Sequence, residues 1–108
     1  MATSREFLDY VLEQLQDLEE ITYRPMMGEY IIYYQGKIAG QLADDRFLIK
    51  PVPSAMQLLP QAPLMAPYPG AKEMILVESL DDRDFLKNLF LTIGAELPTP
   101  QPRRRKAK

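Results

Sequence analysis

Few side chains in this sequence have the type and spacing to do chemistry. Arg24 stands alone among β-forming and apolar residues. Its planar fork suits a carboxylate, either on a partner or within the chain at Asp44 or Glu29. Asp44-Asp45, and separately Asp81-Asp82 with Asp84, offer carboxylates of the kind that ligate cations or share acid–base work. Their spacing fits no calcium loop. The first pair falls between two strand patterns and the second group at a helix start, where aspartate belongs on local grounds. Gly36-Lys37 lacks the glycine-rich run and following hydroxyl of a phosphate loop and reads as a hairpin turn.

Composition narrows the classes further. The chain has 108 residues and no cysteine, histidine or tryptophan. Disulfides, thiolate catalysis and zinc–thiolate sites are therefore excluded, and the usual general base and commonest transition-metal ligand are missing. No residue set implies a metal or cofactor, so a non-enzymatic role is expected. No apolar run nears the roughly 20 residues of a bilayer span, and the start lacks the basic and apolar blocks of a signal peptide. The expected location is the cytoplasm.

The net charge of −2 hides an asymmetry. Arg103, Arg104, Arg105, Lys106 and Lys108 hold 5 of the 13 basic side chains, leaving 8 against 15 acidic ones, or −7, in the remainder. An acidic domain over residues 1–97 thus precedes a proline-rich, then basic, tail over residues 98–108. Such a domain is ill suited to present a broad DNA-binding face. A nucleic-acid-associated role through the tail is the alternative reading, with weak and salt-sensitive contacts.

These residues must be positioned by elements that the pattern announces. Thr3 and Glu6 have capping-box spacing, and Phe7, Leu8, Val11, Leu12, Leu15 and Leu18 form a helical stripe. A helix is expected from Thr3 to about Leu18. Ile21 to Arg24 reads as a strand, at an edge or bulged because Pro25 has no N–H. Gly28-Glu29 is expected to turn the chain into Tyr30–Tyr34. Gln35-Gly36 and Asp44-Asp45 then join strands Lys37–Ala43 and Arg46–Lys50. Ser54 is placed to cap a short helix, Ala55–Leu59. Gln61 to Gly70 reads as an extended loop in which Leu64, Met65 and Tyr68 seek burial. Lys72 to Val77 makes a fifth strand, and Asp81 or Asp82 starts a last helix with the stripe Phe85, Leu86, Leu89, Phe90 and Ile93. The order α-β-β-β-β-α-β-α predicts an α+β, two-layer sandwich: an antiparallel sheet of about five strands with helices on one face.

The segment Arg24, Met26, Gly28 and Tyr30, then Gly36-Lys37, then Asp44-Asp45-Arg46-Phe47-Leu48-Ile49-Lys50, resembles the N-terminal domain of the TfoX (Sxy) regulators of natural competence. Phe7-Leu8-Asp9-Tyr10-Val11 and Tyr68-Pro69 resemble further elements of that family. The likeness spans about Ser4 to Ala95, with Met27 where phenylalanine is usual and Ile31 where a second glycine is usual. It implies a fold like that of type III secretion chaperones and a stand-alone regulatory or adaptor domain acting by protein contact. The second, helical domain of full-length competence regulators is not in this sequence.

The surface expected to carry such contacts is Arg24, Met26, Met27, Gly28 and Tyr30, with Lys37 and Lys50 of the same motif. Methionine repacks easily, and tyrosine joins apolar area to a polar tip. Alternation puts Tyr30, Ile32 and Tyr34 on one face and Ile31 and Tyr33 on the other. Both faces are thus rather apolar. Helices cover one, and the other is free for a partner, the simplest being a second copy across a two-fold axis.

Overall fold

A computed structural model describes residues 3–97. The basic residues Arg103, Arg104, Arg105, Lys106 and Lys108 lie outside the described residues, as does the proline-rich segment before them. The elements are α1 (Arg5–Gln14), β1 (Ile21–Met26), β2 (Glu29–Tyr34), β3 (Lys37–Ala43), β4 (Arg46–Ile49), α2 (Pro53–Leu58), β5 (Leu64–Met65), β6 (Met74–Val77) and α3 (Arg83–Ile93), closed by a 3-10 turn at Gly94–Glu96. The fold is α+β. All six strands form one antiparallel sheet in the order β1-β2-β3-β4-β6-β5.

Three tight hairpins build the first four strands. Their turn residues are Met27-Gly28, Gln35-Gly36 and Asp44-Asp45, all with positive φ. Two successive left-handed residues give the turn whose twist matches that of the flanking strands. The first turn sits one residue earlier than expected, because Glu29 already pairs with Met26. A bulge lies between Ile32 and Tyr33 where β2 meets β3. The expected edge position of Pro25 holds. The two-residue turn makes Met26 and Glu29 a hydrogen-bonded pair, so Pro25 opposite Tyr30 falls at a position whose N–H would point away from the sheet. Its missing donor costs no ladder bond.

Several local expectations change. Ser4, not Thr3, caps α1, its hydroxyl accepting from the Phe7 N–H at 3.1 Å. The Thr3 hydroxyl is occupied elsewhere: it donates to Glu29 Oε1 at 2.5 Å and accepts from the Asp45 N–H at 3.3 Å. One buried threonine thus ties two hairpin turns together. Helix α1 ends at Gln14, after which tighter turns carry Leu15 and Leu18 into the core. Helix α2 starts at Pro53 with no side-chain cap, and Ser54 turns to Glu96 instead. Part of the expected loop forms a sixth strand, β5, whose Met65 is half-buried while Leu64 and Tyr68 stay exposed. Asp82 caps α3, accepting from the Phe85 N–H at 3.0 Å.

The three helices cover one face of the sheet. Leu8 and Val11 of α1, Ala55 of α2 and Leu86, Leu89, Phe90 and Ile93 of α3 share one core with Ile32, Tyr34, Leu42, Phe47, Ile49, Ile75 and Val77. A smaller cluster on the opposite face joins Ala43, Leu48 and Met74 to Met65 and Leu76.

Glu96 links the chain end to α2. Its carboxylate accepts from the Ser54 hydroxyl and from the Ser54 N–H, and these bonds hold it below the ordinary carboxylate value. A carboxyl whose folded value is lowered adds stability above its unfolded value of 4.5, and loses it as pH falls through the folded value. Glu96→Gln should therefore lower the melting temperature at neutral pH, and the gap from wild type should close in acid. Thermal melts across that range check the sign.

Candidate interaction surface

Strand pairing places a single row across the face opposite the helices. Arg24 lies beside Ile31, Ile31 beside Gln41, Gln41 beside Leu48, and Leu48 beside Leu76. Along it the environment changes from open to closed. Arg24 is exposed, Ile31 and Gln41 are half-buried, and Leu48 is buried. The small cluster with Met65 covers the β4–β6 half. The β1–β3 half carries Thr22, Arg24, Ile31, Tyr33 and Ile38, with Ile38 exposed.

Arg24 makes no ion pair among the described residues. The expected partners are taken: Asp44 pairs with Arg46 at 3.1 Å, and Glu29 accepts from Thr3 and from the Asp44 N–H. The Arg24 guanidinium instead lies over the Tyr33 ring, 6.0 Å from its centroid. A cation over a ring face is held by the ring's quadrupole and forms no N–H···O bond there, so the guanidinium keeps its hydrogen-bond donors for a partner.

Beside Arg24 on the same strand, Met26 opens a cavity of about 480 Å³ with Met27, Glu29, Gln41, Pro67 and Tyr68. The first hairpin forms one wall and the Pro67-Tyr68 loop the other. Met27 at the hairpin tip is 97% exposed. The side-chain amide nitrogen of Gln41 is buried with no hydrogen-bond partner. An unpaired buried donor costs roughly 1–3 kcal/mol, which an incoming acceptor would recover.

The motif residues therefore divide. Arg24 and Met26 share the uncovered face, and Met27 and Gly28 form the adjoining turn. Tyr30 points to the helix side, edge-on to Tyr23 with ring centroids 5.8 Å apart. Lys37 serves the scaffold. Its ammonium donates to the Gly94 carbonyl at 2.5 Å, at the C-terminal end of α3. A cation there offsets the helix dipole and satisfies a terminal carbonyl. Lys37→Met should cost about 1 kcal/mol, read as a shift of the urea midpoint. The Lys50 N–H donates to the Ala39 carbonyl at 2.9 Å and extends the β3–β4 ladder. Gln41, Ile38 and Pro67 were not expected in the surface. Alternation alone places Gln41 on a face, but only the strand register sets it beside Ile31.

Three of the five aspartates in the two groups have structural partners, Asp44 with Arg46 among them. Asp45 accepts from the Ser4 N–H at 2.8 Å, and Asp82 caps α3. Among the described residues no three carboxylates are grouped to hold a metal ion, and no helix is long and apolar enough to cross a membrane.

The chain is 30% identical, over 109 aligned positions, to an uncharacterized 12.7 kDa protein in the trpE 5′ region of Spirochaeta aurantia. The match covers 100% of this chain and 95% of that protein. The chain belongs to the family of this 12.7 kDa protein. Within that family match fall the first hairpin, the cavity and Arg24, since the aligned region spans the whole chain. No family model matches the chain, and no solved structure matches it significantly.

Proposed function

We propose that this protein is a small non-enzymatic regulatory or adaptor domain that acts by protein–protein contact through the β1–β3 half of its uncovered sheet face. The supporting observation is Arg24: an exposed guanidinium without an ion partner among the described residues, set over Tyr33 and carried by the strand whose Met26 lines a largely apolar cavity. Arginine and tyrosine in such a setting are the residues on which protein interfaces concentrate their binding energy. The likeness to the N-terminal domain of TfoX competence regulators agrees with this role. It supplies the class of function, a cytoplasmic regulator, without the identity of the partner. The same face is the place for self-association, if a second copy is the partner.

Affinity capture from the source cell, with wild type, Arg24→Glu and a chain lacking residues 103–108, tests the proposal by mass spectrometry. Arg24→Glu should deplete the captured set, and the truncation should leave it intact. An unchanged set with Arg24→Glu overturns the site. A set lost only on truncation, and consisting of nucleic acid, favours the basic tail instead.

A further inference from the structure

Two donors on the uncovered face lack acceptors among the described residues: the Arg24 guanidinium and the buried Gln41 amide. Their Cα atoms flank Ile31 in one row, two strand spacings apart, which is roughly 10 Å, and the Arg24 guanidinium leans along the strands toward Tyr33. Between and beside them lie apolar side chains and the cavity of about 480 Å³. A ligand that satisfies both donors must reach across at least two strand spacings with two oxygen acceptors, joined by a body that carries an apolar group. An extended peptide advances about 3.3–3.6 Å per residue, so a segment of a few residues covers two strand spacings. Charge sets a limit on the ligand as well. Leaving out the tail, the chain carries −7, so a polyanion such as nucleic acid is repelled, whereas a lone carboxylate facing Arg24 is not.

We propose that this corner of the sheet is a receptor for a peptide segment of a partner protein in which a carboxylate adjoins an apolar residue. The apolar side chain enters the cavity between the Met26-Met27 hairpin and Pro67-Tyr68. The carboxylate pairs with Arg24, and a peptide carbonyl accepts from Gln41. The site deepens the adaptor reading above and depends on it.

Nuclear magnetic resonance titration of the full chain tests it with short glycine–serine peptides carrying one Phe-Glu, Phe-Gln or Phe-Lys pair. The Phe-Glu peptide should move the Gln41 side-chain amide, the Arg24 Nε–H and the Met26 and Met27 methyl signals. The Phe-Gln peptide should bind about tenfold more weakly, the loss of one charge-assisted hydrogen bond. Arg24→Gln should erase the difference between those two peptides, and Gln41→Leu should weaken all of them equally. Both variants should keep the wild-type dispersion elsewhere in the spectrum. Equal response of wild type to Phe-Glu and Phe-Gln overturns the proposal, as does the absence of any response. Shifts confined to another face overturn this site while the adaptor reading stands, and that reading is judged separately by the capture experiment.

Discussion

Phe90→Ala should destabilise the domain by about 3–5 kcal/mol. Phe90 is fully buried in the C-terminal half of α3. Its ring stacks on Phe47 at a centroid distance of 6.1 Å and meets Tyr34 edge-on at 5.7 Å. The three rings join the last helix to the second and fourth strands. Truncation removes the apolar area of one ring and leaves a void between two others that cannot collapse onto a two-layer core. Domains of this size have roughly 5–15 kcal/mol in total, so the loss takes a large share of it. The melting temperature should fall by about 15–25 °C. Urea unfolding followed by circular dichroism checks this through the midpoint. Phe90→Leu, which keeps most of the volume, should lose less than half as much. A loss below about 1.5 kcal/mol for the alanine variant would mean the ring cluster is not the centre of the core.

Gly40→Val should be comparably damaging for a different reason. Gly40 sits opposite Ile49 in β3, next to the bulge in the β2–β3 pairing. A Cβ built there would lie 2.3 Å from the Leu48 carbonyl oxygen and 3.1 Å from the Ile49 Cα. Those atoms are main chain and cannot swing aside. Any side chain must therefore pry β3 from β4, and about 3 kcal/mol or more is expected. Hydrogen exchange should show protection lost first in Lys37–Ala43 and Arg46–Ile49. Gly36→Ala is the control. Nothing lies within 4 Å of its added Cβ, but its φ of +79° is left-handed, so about 1–2 kcal/mol is expected from backbone strain alone. A smaller cost for Gly40→Val than for Gly36→Ala would show that the two strands can part locally.

Much of the architecture is legible in the residues because local rules suffice for it. Gln35-Gly36 and Asp44-Asp45 are turn chemistry, and the stripe of α3 is a 3.6-residue period. The displaced first turn arises because Met27 adopts the left-handed region without being glycine, which no propensity anticipates. The strand β5 has two residues in a proline-rich stretch, and its identity comes from pairing with β6, whose partner residues Met74 and Ile75 lie beyond that stretch. Gly40 carries no signal of its own, because its demand for space is created by a neighbouring strand and a bulge. Arg24 stands out in the sequence as a guanidinium among apolar residues, yet the carboxylates expected to pair with it are engaged by Thr3 and Arg46. Alternation reveals that both sheet faces are apolar. Which half of the second face stays open depends on where residues 61–70 fold, and that is a tertiary outcome.

Pro25 bears on how copies of this protein meet when crowded. Along the free side of β1, the outward main-chain groups belong to Ile21, Tyr23 and Pro25, and the last of these has no proton to give. A foreign strand laid alongside would find only two residues able to donate, too few to template a growing ribbon. The opposite margin of the sheet ends in a two-residue strand. Growth into cross-β fibrils is thus discouraged at both borders, and concentrated protein is steered toward broadside encounters.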